Sequence, residues 1–217
     1  MKKILIPAIA LLLFLSAGTT TAQVAFGIKG SFDMFNLAFK DADGDKDQAT
    51  MIPTFDVGVF AEFQVADEFY LRPELLFAQK GAKNEYALID DVTTRISYLE
   101  LPINLMYKGP LSGGNVLVGF GPYFAYGVAG TIKSDNVSLD LEFVNDLEDA
   151  NEFTVYYKPF DMGAKVFAGY ELAAGLQVML NASLGIANME PDYRGEKSES
   201  STKHVGFGLT LGYVFGK

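Results

Sequence analysis

Four carboxylates crowd one short segment of the sequence, Asp41-Ala42-Asp43-Gly44-Asp45-Lys46-Asp47. Hard oxygen ligands at alternate positions around a glycine turn are what a calcium ion takes. The spacing is not that of an EF-hand: the glycine falls one residue before the third aspartate, and Ile52 stands at the twelfth position, where a bidentate glutamate belongs. Aspartate and glycine are also the ordinary residues of solvated turns. The segment is read as an acidic loop tip, and no metal ligand is assigned.

Two other groups have the residue types of catalysis. Glu62, Glu74, Glu100 and Asp161 could supply a general acid and base, and His204, with Ser200 and Ser201 just before it, could supply the base and nucleophile of a lipid-modifying enzyme. Neither comes with a recognisable substrate pocket or a complete nucleophile constellation. The carboxylates are expected to form a structural polar network, and His204 to be incidental at a strand end; no catalytic residue is assigned. GFGPYF at 119–124 lacks the third glycine of a dinucleotide fingerprint, and KGPLSGGN at 108–115 lacks the Lys-Ser/Thr of a P-loop. No cofactor is expected. The absence of cysteine removes thiolate chemistry and disulfides, and a single histidine removes the common zinc sites. A net charge of −10 without a cluster of Lys and Arg argues against nucleic acid.

Lys2 and Lys3, the apolar run Ile4 to Leu15 and the small residues ending at Ala22 read as a secretory signal peptide over 1–22, leaving one domain over 23–217. The run is short for a spanning helix, which needs about 20 residues. No later segment is apolar for long enough either, so any crossing of a membrane falls to strands.

The dominant period after the leader is two. Gln177, Met179, Asn181, Ser183 and Gly185 interleave with Leu176, Val178, Leu180, Ala182, Leu184 and Ile186. Gly206, Gly208, Thr210 and Gly212 alternate with Val205, Phe207, Leu209, Leu211, Tyr213 and Phe215. Asp56, Gly58, Glu62 and Gln64 alternate with Phe55, Val57, Val59, Ala61, Phe63 and Val65, and Phe60 is an apolar exception on the polar face. Eight strands follow, over 24–37, 53–66, 68–82, 93–109, 115–130, 154–173, 175–188 and 203–216. Short connections at 66–67, 108–115 and 173–175 alternate with long polar ones at 38–52, 83–92, 131–153 and 189–202. That asymmetry belongs to transmembrane barrels, whose turns are short on one side only.

Cost assigns the faces. A Lys or Arg facing lipid at mid-membrane costs about 2–4 kcal/mol. Lys29, Glu62, Arg72, Glu74, Glu100, Asp161, Lys165 and Glu171 all fall on the small or polar face; Arg95, Lys158 and Lys203 lie near strand ends. In YLELPINLMYK, Leu99, Leu101, Ile103, Leu105 and Tyr107 face lipid, while Glu100, Asn104 and Lys108 point inward to meet Arg72, Lys165 and water. Pro102 is placed at a bulge. With no tryptophan, interfacial girdles fall to residues such as Tyr107, Tyr126, Tyr156 and Tyr170.

FYLRPELLFAQKGAK (69–83), YLELPINLMYKG (98–109) and VGFGPYFAYGVAG (118–130), in that order, resemble the PorT-like outer-membrane β-barrel family common in Bacteroidetes. The likeness covers essentially the whole chain after the leader. It implies an all-β, eight-stranded antiparallel up-and-down barrel in the cell outer membrane, without a catalytic motif. The family's name comes from a member linked to protein secretion, a role no residue here carries over. The terminal LTLGYVFGK agrees with a final amphipathic strand, although Gly216-Lys217 replaces the usual last aromatic. The expected role is structural, surface-contact or envelope assembly, without catalysis. The expected partners are outer-membrane lipids, the barrel-assembly machinery during insertion and other envelope proteins. The alternatives are an outer-membrane lipid-modifying enzyme and a soluble lipocalin-like periplasmic carrier.

Overall fold

The computed structural model describes residues 24–40, 46–47, 49–86, 89–134, 138–148 and 154–216. The proposed leader and residues 41–45 of the acidic segment lie outside them. Among the described residues eight long strands form the wall: β1 (Val24–Lys40), β2 (Ile52–Ala66), β3 (Phe69–Tyr86), β4 (Ile89–Leu111), β5 (Gly114–Lys133), β6 (Phe160–Leu172), β7 (Leu176–Gly185) and β8 (Ser201–Phe215). Each pairs antiparallel with its sequence neighbours, and β8 returns to β1 with Phe26 opposite Phe215 and Lys40 opposite Ser201. The ring is closed, so every wall strand has a paired neighbour on both sides.

Alternation sorts the side chains as it must in such a ring. Val57, Phe120 and Leu180 stand outward at 52%, 60% and 67% exposure, while Arg72, Glu100 and Asp161 are fully buried inside. A water-soluble barrel would reverse this. No helix of the described residues is long and apolar enough to cross a membrane, and the outward apolar strands take that role.

The strands turn tightly at one end, at Asp67-Glu68, Ser112-Gly113 and residues 173–175. Gly113 and Gly175 take φ of +83° and +89° there, which a side chain would strain. At the other end the wall is uneven. The ten residues of β7 suffice for an apolar band about 25 Å tall. The 23 residues of β4 rise about 58 Å at about 3.3 Å per residue and about 40° of tilt. The expected long loop at 83–92 is instead largely the protruding top of the β3–β4 hairpin, with Tyr86 opposite Ile89.

Three other expectations are corrected. The sixth strand begins at Phe160, not 154, because Pro159 has no N–H for the ladder; its carbonyl accepts from Gly127 N at 2.7 Å, and Tyr156–Tyr157 leaves the wall to pair with Glu142–Phe143. Tyr156 is thus no girdle residue, whereas Tyr126 is exposed at 58% on the outer wall and Tyr107 packs on Phe69 at 5.5 Å. Pro102 faces the lumen opposite Tyr123 with the register intact; the slip lies at Ser97/Tyr98, where Val128 is the extra residue of β5.

Candidate functional site: the filled lumen

In the half of the lumen nearer the short turns, inward positions two residues apart on neighbouring strands bring charges face to face. Arg72 of β3 is enclosed. Its Nε lies 3.0 Å from Glu74 and its Nη1 3.5 Å from Glu62 and 2.9 Å from the Gln177 Oε1 it donates to. Its guanidinium covers the Phe60 ring at 3.7 Å. Phe60, the apolar exception, is therefore a stacking platform for a buried cation. Lys108 bridges Glu62 and Glu171, each at 2.8 Å, and Gln177 Nε2 donates to both, at 3.0 and 2.7 Å. Lys29 pairs with Glu74 at 2.8 Å, and Asn104 donates to the same carboxylate at 3.3 Å.

Toward the long-loop end, Lys80 lies 2.7 Å from Glu100 and 3.0 Å from Asp161, and Lys165 pairs with Glu100 from across the lumen. Tyr123 OH donates to Asp161 at 3.2 Å, and the Lys80 ammonium sits 3.9 Å from the Tyr123 ring and 5.3 Å from that of Tyr98. His204 is fully buried, edge-on to Tyr98 and Phe35, with Nε2 and Tyr98 OH 3.0 Å apart. Buried charges are costly singly and tolerable only in such mutually bonded sets.

An apolar lid closes this end. Leu37, Ala82, Ile96 and Ala125 from the wall meet Leu141 and Met189 from the loops, with Phe143 and Tyr157 packed against them. The inward face of β5 makes room: a Cβ on Gly127 would meet the Phe143 ring at 2.5 Å, and one on Gly130 would meet Leu141 at 2.9 Å. The loops are stitched together. Lys158 N donates to Met189 O, Asp192 N to Asn145 O and Arg194 N to Leu147 O, and Asp146–Leu147 lies parallel to Asp192–Tyr193.

Residues 17–190 match the family described as outer membrane protein beta-barrel domain, well over half of the chain. The chain belongs to that family. This outer-membrane barrel resides in the cell outer membrane, its wall in lipid and its charges inside. Among the solved structures it is similar to in fold are three outer-membrane proteins. Ail, the attachment invasion locus protein of Yersinia pestis, is 10% identical, with a TM-score of 0.41 over 89% of this chain and 99% of that one. OprG from Pseudomonas aeruginosa is 14% identical, with a TM-score of 0.46 over 90% and 98%. Neisserial surface protein A is 9% identical, with a TM-score of 0.42 over 88% and 96%. No curated protein sequence matches the chain.

Of the residues with chemical promise, Glu62, Glu74, Glu100 and Asp161 all face the lumen of the outer-membrane barrel, each bonded to a cation. His204 points into the lumen and not to the outer wall, and no serine hydroxyl bonds either ring nitrogen among the described residues: Nε2 meets Tyr98 and Nδ1 has no partner. Its parity with Gly206 and Gly208 was the signal for an inward position. Among the described residues no three His, Cys, Asp or Glu side chains converge on a metal position. The acidic side chains of the 41–47 segment lie outside the description. Lys80 and Asp33 were not singled out from the sequence, though both share the inward parity of their strands.

Proposed function

We propose that this protein is a non-catalytic barrel of the cell envelope that works through its exposed loops, contacting other envelope proteins or the cell's surroundings, and that within its family it stands with the PorT-like barrels. The observation supporting a loop-borne role is the contrast between a lumen crossed by ion pairs and closed by an apolar cluster and a loop collar built as an ordered body, with Tyr193 and Arg194 exposed on a hairpin whose Tyr193 and Glu196 bond reciprocally at 2.9 and 3.0 Å. A wall of eight strands leaves an interior that side chains just fill, unlike the water channels of about 16–18 strands. The PorT-like placement rests on the stretches at 69–83, 98–109 and 118–130.

A photo-crosslinking residue at position 193, against one at the lipid-facing position 207, tests this in native cells. Protein adducts at 193 and lipid adducts at 207 are expected, together with no solute flux in liposome swelling. Swelling at rates typical of a porin would replace the reading by that of a pore.

A further inference from the structure

Lys80 brings an amine against a carboxyl group inside a dry enclosure. From β3 its nitrogen reaches Glu100 of the adjacent β4 at 2.7 Å and Asp161 of β6, across the lumen, at 3.0 Å, and all three residues are fully buried. Aromatic rings surround that nitrogen, Tyr123 at 3.9 Å, Tyr98 at 5.3 Å and Phe35 at 5.8 Å, and the lid with Leu141 and Met189 covers this end. The Asp161 Oδ2 that faces Lys80 also accepts from Tyr123 OH at 3.2 Å, while Oδ1 is buried without a hydrogen-bond partner among the described residues. Glu100 has a second cation, Lys165.

These are the parts of an amide condensation. Holding the amine on the acid removes the entropy cost of a bimolecular step. With Nζ 3.0 Å from Oδ2, the carboxyl carbon is at most one C–O bond further away. A dry interior disfavours charge, and a proton passed along this contact leaves a neutral amine against a neutral acid. Lys165 stays beside Glu100, so Glu100 remains an anion able to take the second proton. Condensation would remove the Lys80 and Asp161 charges together and leave Lys165 and Glu100 as a one-to-one pair. The orphan Oδ1, half of a carboxylate before, would become the carbonyl of a neutral amide, which costs less to bury unpaired.

We propose that Lys80 and Asp161 join in an intramolecular isopeptide bond from β3 to β6 across the lumen, with Glu100 as its proton carrier. The Lys80 ammonium gives one proton to Asp161 Oδ2, and the amine nitrogen attacks the Asp161 carboxyl carbon. Glu100 takes a proton from that nitrogen and returns it to Oδ2, whose departure the Tyr123 hydroxyl assists. The C–N bond forms, the C–OH bond breaks and one water leaves; no oxidant, cofactor or outside acyl donor takes part.

The test is the mass of the full chain, unfolded in urea and again after refolding in detergent micelles. Refolding is expected to remove one water, and a digest of the refolded chain to yield a branched peptide joining Lys80 to Asp161. Lys80→Arg keeps the luminal charge but offers no nucleophilic amine, and should keep its full mass. Glu100→Gln should lose the water about a hundredfold more slowly. A wild type that shows the heat-shifted gel migration of a closed barrel and still keeps its full mass would overturn the proposal, whether or not the variants fold. So would water lost from Asp161 alone as a cyclic imide, or an equal loss in Lys80→Arg.

Discussion

Arg72 has two carboxylates, an amide and an aromatic face around one guanidinium. Arg72→Met would leave Glu62 and Glu74 buried with only Lys108 and Lys29 as cations. The expected loss is about 3 kcal/mol, at the lower end for a broken buried pair because those two ammoniums remain. Arg72→Lys should recover only part, since an ammonium lacks the planar fork that meets Glu62, Glu74 and Gln177 from separate nitrogens and cannot lie flat on Phe60. Urea unfolding in micelles measures both, and a Met variant as stable as the wild type would show that the arginine is dispensable to the network. Parity and the cost of a charge in lipid were enough to predict from the sequence that Arg72, Glu74, Glu100 and Lys165 point inward, and Lys165 does meet Glu100. Why Phe60 breaks its alternation was not legible, because the cation above it comes from the neighbouring strand. Partners across the lumen depend on the stagger of the closed ring, which no local pattern encodes.

Strand existence and order followed from the period of two, whereas strand ends were set by contacts outside the strand. Pro159 and the pull of Met189 O on Lys158 N take residues 154–158 out of the wall and into the lid. The lid is testable through its seat. Gly127→Val would place side-chain carbon where the Phe143 ring lies, so the ring must leave while the wall still closes. Limited proteolysis should then cut the loop at 138–148 several-fold faster with the heat-shifted gel migration of a folded barrel retained; unchanged cleavage would mean that Phe143 does not anchor the loop. The collar also has a pH dependence. The hydrogen bond from Lys158, 2.7 Å long, holds the half-buried Asp192 carboxyl below its usual range, with Lys197 adding to the effect. A depressed carboxyl contributes its stability above the unfolded value of about 3.9 and loses it as pH falls through the folded value beneath. Hydrogen-exchange protection factors at 189–196, with the intrinsic exchange rate at each pH divided out, should therefore be the same at pH 7 and pH 5 and fall only in stronger acid. A fall already at pH 5 would mean that another group controls the loop.

The inside-out distribution of polarity makes the molecule's stability conditional on its surroundings. In water the outward Phe, Leu and Val faces would be an aggregation surface; in a bilayer they are the solvated surface, and the ion pairs are shielded by the wall. Leu180 separates the two situations. It stands outward at mid-strand on β7, opposite Ala168 and Leu209, and is the most exposed large apolar residue among those described. Leu180→Arg adds a charge that costs about 2–4 kcal/mol at a bilayer midplane and nearly nothing facing water. Urea unfolding in lipid vesicles should show the full loss. The same substitution at Leu111, exposed beside the Ser112-Gly113 turn, should cost about 0–1 kcal/mol, because the penalty falls toward the interface. Equal small losses at both sites would mean that position 180 is wetted, a result only a water-facing wall could give; equal large losses would mean that the apolar band reaches the turns.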